Sequence, residues 1–231
     1  MPAPRQLNTH AIVLRRVNYG EADRIITLLT PDQGKLTAIA KGVRKTKSKL
    51  AGGIELFSIS EISFIKGKND IDTLTSTRLQ KHFGRIVTDL ERSNAAYDFI
   101  KTINKATEDT PEADYYYLLA EALSSLDELS IAIELTRLWF SLRLLKIAGH
   151  APDFFIDTDG QKLSPNETYD FDYEQMRFAS PAGRQGDFSA EQIKFLRLAA
   201  SAERPHLIQR VKGGSALALT VQNRVQAMII I

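Results

Sequence analysis

The residues with the clearest chemical potential are five cations that lie close together near the start of the chain. Residues 41–49 carry five basic and no acidic side chains: Lys41, Arg44, Lys45, Lys47 and Lys49. Free cations of this kind neutralise backbone phosphates and release counterions without reading base sequence. Short basic runs are also common as solvated loops, but apolar residues alternate on both sides of this one. The run therefore predicts a nucleic-acid interface.

The other reactive residue types form no recognisable catalytic or metal-binding set. The chain has no cysteine, which excludes disulfides, thiolate zinc sites and cysteine nucleophiles. Its four histidines are scattered, and it contains no Gly-x-Ser-x-Gly elbow and no Gly-Lys-Ser/Thr phosphate loop. The turn at residues 157–160 is similar to part of a calcium loop, but Phe155 and Asn166 stand where that loop needs Asp and Glu. We expect no enzyme activity, no metal and no cofactor.

Charge is distributed unevenly along the chain. Residues 1–92 have a net charge of +7 and residues 93–231 a net charge of −5, so the basic character belongs to the first part. A split of this kind suggests that one part faces a polyanion while the other is a scaffold or binds other partners. No stretch approaches the roughly 18 consecutive apolar residues of a membrane span, and residues 1–10 lack the apolar core of a secretory signal. We therefore expect a cytoplasmic protein.

Five short segments rich in β-branched and apolar residues surround the basic run. They are residues 9–17, 23–30, 35–41, 55–66 and 70–77, and turn-forming residues separate them. Closely spaced strands without helices between most of them predict a small barrel. A five-stranded, partly open OB-type barrel is the most economical prediction, and an SH3-like barrel fits the strand count almost as well. OB-type barrels bind oligonucleotides on one face and the bordering loops.

After residue 78 the apolar period changes from two to about 3.6, which predicts a C-terminal helical bundle. Residues 131–148 are apolar on most of the circumference and predict a central helix that ends at Gly149. Ser189 followed by Gln192 predicts a capping box, and further helix starts are predicted at Ser93, at Thr110 with Pro111, and at Ser130. Prolines and a turn between residues 151 and 187 predict a small hairpin insertion.

The predicted fold class is α+β, with the strands preceding the helices. An OB-fold domain is expected at residues 1–80, and a helical domain with the insertion near 151–187 is expected at residues 81–231.

Three segments of the sequence resemble a known family. Residues 19–50 read YGEADRIITLLTPDQGKLTAIAKGVRKTKSKL, and residues 53–57 and 73–75 continue the pattern. Residues 142–145 with 149–153 form the second segment, and residues 178–183 form the third. Together they resemble the RecO family of bacterial recombination mediators.

This resemblance implies an OB-fold followed by a helical domain. It also implies binding of single- and double-stranded DNA, annealing of complementary strands, and loading of the recombinase RecA, with RecR, onto strands coated by single-strand-binding protein. Many members of the family carry four cysteines in the insertion after the central helix, whereas this chain has none. Residues 153–186 are therefore similar to the family's zinc module with its metal ligands lost.

The expected DNA-binding residues combine the charge pattern with this resemblance: Lys35, Lys41, Arg44, Lys45, Lys47, Lys49 and Arg16. Arg15 and Arg16 are expected to point to opposite faces of one strand, so at most one of them can join the site. Tyr19 and Phe57 are candidates for stacking on bases, although packing in a turn or core is the alternative for both and the better interpretation of Phe57.

Partner contacts are expected on the central helix. The resemblance implies that the helical domain binds the acidic, apolar-ended tail of single-strand-binding protein, and the candidates for its carboxylates are Arg137, Arg143 and Lys146. The alternative is that these side chains are the charged edges of a buried helix. Two other functions stay open from the sequence: a generic OB-fold protein that binds RNA or single strands without mediator activity, and an enzyme whose site has no recognisable motif.

Overall fold

The computed structural model describes residues 6–67, 70–107 and 113–229. The chain divides into two compact units, Met1–Asp127 and Glu128–Ile231. Each helix in the described part of the chain is too short or too polar to span a lipid bilayer.

A closed five-stranded barrel forms the first part of the first unit. Its strands are β1 (Gln6–Tyr19), β2 (Asp23–Thr30), β3 (Gly34–Ala40), β4 (Ser58–Ile65) and β5 (Ile71–His82). They are hydrogen-bonded in the order β1-β2-β3-β5-β4, and the barrel closes between β4 and β1. The β3–β5 pair is parallel and all other pairs are antiparallel. The predicted α+β fold with an OB-type barrel is confirmed.

Alternating apolar residues fill the barrel. Val13, Leu28 and Phe64 are at most 2% exposed and lie in one continuous core. Val43 and Ile54 belong to the same core although they come from the long connection between β3 and β4. That connection contains the predicted basic run, so the barrel interior anchors the connection within the run at Val43 and beyond the run at Ile54.

The outer side of β1 and β2 is covered by two helices. Ile12, Leu14 and Leu29 are buried but alternate with the residues that face the barrel core, so their side chains point outward. Helix α1 (Leu90–Ala106) contacts β1 and helix α2 (Ala113–Asp127) contacts β2. These two helices therefore belong to the same compact unit as the barrel. The division into domains at residues 80 and 81 stays a prediction.

The second unit consists of helices and one small sheet. Its helices are α3 (Ile133–Ile147), α4 (Ala190–Ser201), α5 (Pro205–Ile208) and α6 (Gly214–Ala227). Helix α3 contacts each of the other three, and most of its side chains are buried, as the apolar pattern of residues 131–148 predicts. Gly149 follows with φ of +76°, a backbone conformation that favours glycine and ends a helix.

The insertion after α3 is a three-stranded sheet with an aromatic core. Strands β6 (Asp153–Asp157), β7 (Asp170–Asp172) and β8 (Arg177–Ala179) pair in the order β6-β8-β7, so the sheet has one strand more than the predicted hairpin. The Asp157 carboxylate accepts hydrogen bonds from the backbone N–H groups of Asp159 and Gln161. This aspartate therefore stabilises the predicted turn.

Some predicted boundaries are wrong by a few residues. Helix α1 begins at Leu90, not at Ser93, because the Asp89 side chain caps its first turn while the Ser93 hydroxyl donates to the carbonyl of Ile86. Helix α3 begins at Ile133 rather than at Ser130. The predicted capping box of Ser189 and Gln192 is confirmed. The predicted start at residues 110–111 lies outside the described residues.

Candidate nucleic-acid interface

The basic segment, residues 41–49, leaves the end of β3 through a fixed turn. Gly42 has φ of +65°, and its backbone N–H donates to Oδ1 of Asp23 at 2.6 Å. Val43 then enters the barrel core with 3% of its surface exposed. The Arg44 backbone N–H donates to the carbonyl of Ala22 at 2.9 Å. The start of the segment is therefore held against the β1–β2 hairpin.

The rest of the basic segment forms successive turns and is fixed again at its far end. The N–H of Lys45 donates to the carbonyl of Gly42 at 3.1 Å, and that of Ser48 to the carbonyl of Lys45 at 3.0 Å. The Thr77 hydroxyl on β5 donates to the carbonyl of Leu50 at 3.1 Å. A chain held at both ends loses less conformational entropy on binding than a free loop does.

All five cations of the basic segment are exposed. Among the described residues, no carboxylate oxygen lies within 4.0 Å of their charged nitrogen atoms. The guanidinium of Arg44 also donates to the carbonyl of Gly20 at 3.3 Å, so this cation has a structural contact as well. The segment offers a dense group of positive charges whose hydrogen bonds to an anion remain available.

Arg16 and Lys35, the other two cations predicted to bind DNA, lie outside the basic segment and have partners within the protein. Arg16 lies at the same end of the barrel as the basic segment, but its guanidinium pairs with Glu55 at 2.8 Å. Lys35 is at the opposite end of β3, about 20 Å along the strand from Lys41 at 3.3 Å per residue. Its ammonium donates to the carbonyl of Asn104 in α1 at 2.8 Å. Neither side chain is as available to phosphate as the five cations of the basic segment.

The two candidate aromatic residues have different environments. Phe57 is 2% exposed and packs edge-on against Tyr97 with 5.0 Å between ring centroids, so core packing accounts for it. Tyr19 is 55% exposed and stands at the tip of the β1–β2 hairpin. Its neighbour Gly20 accepts a hydrogen bond from Arg44, so Tyr19 is one residue from a contact with the basic segment, and its exposed ring is available for stacking on a base.

The candidate partner-binding cations lie on α3 in the second unit. Lys146 is exposed, while Arg137 and Arg143 are partly buried. One guanidinium nitrogen of Arg143 donates to the carbonyl of Ala202 at 3.0 Å. At about 100° per residue, Arg143 and Lys146 are neighbours on the helix surface, whereas Arg137 points to the opposite side from Lys146. The helix brings two of the three together and separates the third.

Two residues at the candidate interface were not found from the sequence. Asp23 and Thr77 hold the two ends of the basic segment through contacts with residues 19 and 27 positions away. Their sequence neighbours give no signal of this role, because it depends on the strand register of the barrel. The described residues contain no group of three or more His, Asp or Glu side chains that could hold a metal ion.

Comparison with known proteins agrees with this architecture. The family model described as Recombination protein O N terminal matches residues 4–83, and the one described as Recombination protein O C terminal matches residues 87–214. Among curated proteins, a DNA repair protein RecO of Dehalococcoides mccartyi is 39% identical over 154 residues, which are 66% of this chain and 60% of that protein. The RecO proteins of a Roseiflexus species and of Acetivibrio thermocellus are each 37% identical, over 65% and 63% of this chain and 53% and 58% of theirs.

The matches thus span 53–60% of the length of these relatives. The two family models together cover the barrel, helices α1 to α5 and the insertion. On this basis the chain belongs to the Recombination protein O (RecO) family.

Proposed function

We propose that this chain is a non-enzymatic mediator of DNA recombination and repair, which binds DNA through the basic segment of its barrel. The observation that carries the proposal is the group of five exposed cations without carboxylate partners among the described residues, on a segment fixed at both ends. Its relatives are named DNA repair proteins. The proposed location is the cytoplasm, in association with the nucleoid.

The chemistry of the basic segment favours binding to phosphates over reading of bases. Lysine and arginine side chains that meet phosphate oxygens give affinity and leave the base edges free. Two DNA strands repel each other, and a protein that neutralises their phosphates lowers this barrier while the bases remain able to pair. Annealing of complementary strands is the expected consequence, with single- and double-stranded DNA both bound.

The first test is the salt dependence of binding to single-stranded DNA, measured by fluorescence anisotropy. Each phosphate contact contributes about 0.7 to the slope of log K against log salt on single strands. Replacing Lys45 and Lys47 together by Glu should weaken binding and lower the slope by about 1.4. A control with the same charge change, Lys194→Glu with Lys212→Glu, alters two exposed lysines of the second unit and should leave the slope close to that of the wild type.

Equal affinity and slope for the wild type and a folded Lys45/Lys47 variant would refute binding at the basic segment. Tighter binding to RNA than to DNA of the same sequence would favour the RNA-binding alternative. A change in a labelled DNA substrate that requires a divalent metal ion would show an enzyme.

The mediator role needs a second contact, to single-strand-binding protein. We propose that Arg143 and Lys146 on α3 meet the carboxylates of its acidic tail, and that Arg137 contributes from another side of the helix. Together with RecR, this contact would help load RecA onto coated strands. Charged hydrogen bonds near apolar surface suit a tail that is acidic with an apolar end.

The tail contact is best tested at Lys146, since Arg143 also bonds the carbonyl of Ala202. Replacement of Lys146 by Glu should weaken a tail peptide severalfold because a favourable charge pair becomes repulsive. Binding to single-stranded DNA should not change, because the basic segment lies in the other unit. Equal peptide binding by the wild type and Lys146→Glu would place the receptor elsewhere.

A further inference from the structure

One acidic side chain lies where the proposed function would disfavour it. Asp23 begins β2, directly beside the basic segment, and its carboxylate stands within 2.6 Å of the Gly42 backbone nitrogen. Within the described part of the chain it forms no ion pair with any lysine or arginine. A negative charge at a surface for phosphates lowers affinity, so an acid at this position points to another role.

We propose that Asp23 is a positioning residue that orients the basic segment for DNA, an inference that rests on the proposed DNA binding. A hydrogen bond from a backbone N–H to a carboxylate is short and strong compared with one between neutral groups. This bond fixes Gly42 at the point where the chain turns out of β3. The exposed cations Lys41, Arg44 and Lys45 all lie within three residues of Gly42.

The Asp23 carboxylate bonds Gly42 at the point from which the next residues of the basic segment are positioned. Gly42 has a left-handed backbone conformation with φ of +65°. Because β3 ends at Ala40, strand pairing does not support this residue. The next residue, Val43, enters the barrel core, and Arg44 bonds the hairpin at Ala22 and Gly20. Loss of the Asp23 acceptor would leave the Gly42 N–H without its partner and free the first turn of the segment.

Removal of the Asp23 side chain should change DNA affinity in the direction opposite to the one expected from charge alone. If only charge mattered, removal of an acid beside the cations would strengthen DNA binding. If Asp23 positions the segment, Asp23→Ala should weaken binding to single-stranded DNA by about tenfold, which is the size of effect that loss of a charged hydrogen bond produces. Asp23→Asn keeps an oxygen that can accept from Gly42 and removes the charge, so it should bind at least as tightly as the wild type.

Glu21 supplies a matched control. It is exposed on the same hairpin, two residues away, and the described structure gives it no hydrogen bond or ion pair. Glu21→Gln should therefore show the effect of charge alone, an increase in affinity of about twofold for a charge some 10 Å from a phosphate in water. The three variants and the wild type are compared by anisotropy titration with one single-stranded oligonucleotide at several salt concentrations.

Hydrogen exchange of the Gly42 amide gives a second measurement that does not depend on DNA. The amide should be protected in the wild type and in Asp23→Asn, and should exchange faster in Asp23→Ala. This measurement on the wild type also tests the contact if Asp23→Ala fails to fold. An unprotected Gly42 amide in the folded wild type would overturn the inference.

The outcomes separate the inference from the proposed function. A wild-type protein that binds no single-stranded DNA in a salt-dependent manner refutes the proposed function, and the inference falls with it. A wild type that binds DNA, together with an Asp23→Ala variant that binds as tightly or more tightly, refutes only the positioning role of Asp23.

Discussion

The aromatic core of the insertion should be able to hold this module together without metal. Phe178 is completely buried and lies at the centre of the core. Its ring centroid is 5.3 Å from those of Phe171 and Phe188, 6.0 Å from that of Phe154 and 6.2 Å from that of Tyr169. Replacement of a buried phenylalanine by alanine costs about 3–5 kcal/mol, a large part of the 5–15 kcal/mol that stabilises a typical domain.

The loss should spread from the sheet to the helices of the second unit because the two are bonded together. Arg197 in α4 donates from Nε to the carbonyl of Phe154 at 2.7 Å. The guanidinium of Arg224 in α6 lies 4.9 Å from the ring centroid of Phe188. Unfolding of the sheet removes both contacts, so we expect one cooperative transition that shifts to lower denaturant concentration.

Trp139 provides the assay. It is the single tryptophan of the chain, is 3% exposed, and donates from Nε1 to the carbonyl of Ala202 at 3.0 Å. Its fluorescence should therefore report unfolding of the second unit in urea, and the midpoint and slope together give the free energy of unfolding.

The control is Phe155→Ala, the same substitution at a residue that is 62% exposed. This side chain contacts the guanidinium of Arg197 at 4.9 Å, and its loss should cost about 1 kcal/mol or less. A metal chelator should leave the wild-type midpoint unchanged. Equal midpoints for Phe178→Ala and Phe155→Ala, or a midpoint that falls on chelation, would refute the aromatic core as the source of stability.

Three further predictions follow from individual contacts. Ser189→Ala removes the cap of α4 and should destabilise the second unit by about 1 kcal/mol, measured by the same urea titration; an unchanged midpoint would contradict this. Gly53→Ala would place a Cβ atom 2.4 Å from that of Thr77, so it should lower the melting temperature of the barrel and weaken DNA binding. Gly52→Ala is the control: its added Cβ atom would have no neighbour within 4 Å, so the melting temperature and DNA binding should not change. Burial raises the pKa of Tyr116 from 10.0 to about 12. Because this tyrosine ionises at lower pH in the unfolded state, the free energy of unfolding should fall as pH rises from about 10 to 12, and it should fall less in Tyr116→Phe. An equal decline in both proteins would show that Tyr116 does not cause the pH dependence.

The barrel could be predicted from the sequence because its determinants are local. Alternation of apolar residues in β2 and β3, with turn residues between them, predicts the ends of both strands to within one residue. The capping box of Ser189 and Gln192 is local in the same sense, since both partners lie within four residues. The predicted start of α1 is Ser93, but the Asp89 side chain accepts from the backbone N–H groups of Glu91 and Arg92 and caps the helix. Aspartate and serine are equally good N-cap residues, so residue type alone does not separate them.

The partners of the cations could not be predicted, because they depend on contacts between distant parts of the chain. Arg16 meets Glu55 across 39 positions, and Lys35 meets the carbonyl of Asn104 across 69. The aromatic core of the insertion has the same difficulty. Its five buried rings come from residues 154, 169, 171, 178 and 188, which follow no single period. The sequence therefore predicts a hairpin here but not that these rings form one core.

Ion pairs between individual cations and carboxylates also indicate where a polyanion can bind. The net charge of +7 in residues 1–92 is an average over side chains with unequal availability. Several basic residues outside the segment are ion-paired, as Arg16, Lys66 and Arg78 show, and Lys35 donates to a carbonyl. Those within residues 41–49 keep their charges exposed on a backbone that Asp23 and Thr77 hold in place. Available positive charge is therefore more concentrated than composition suggests, and DNA affinity should respond far more strongly to substitutions in this segment than to equal changes of net charge elsewhere.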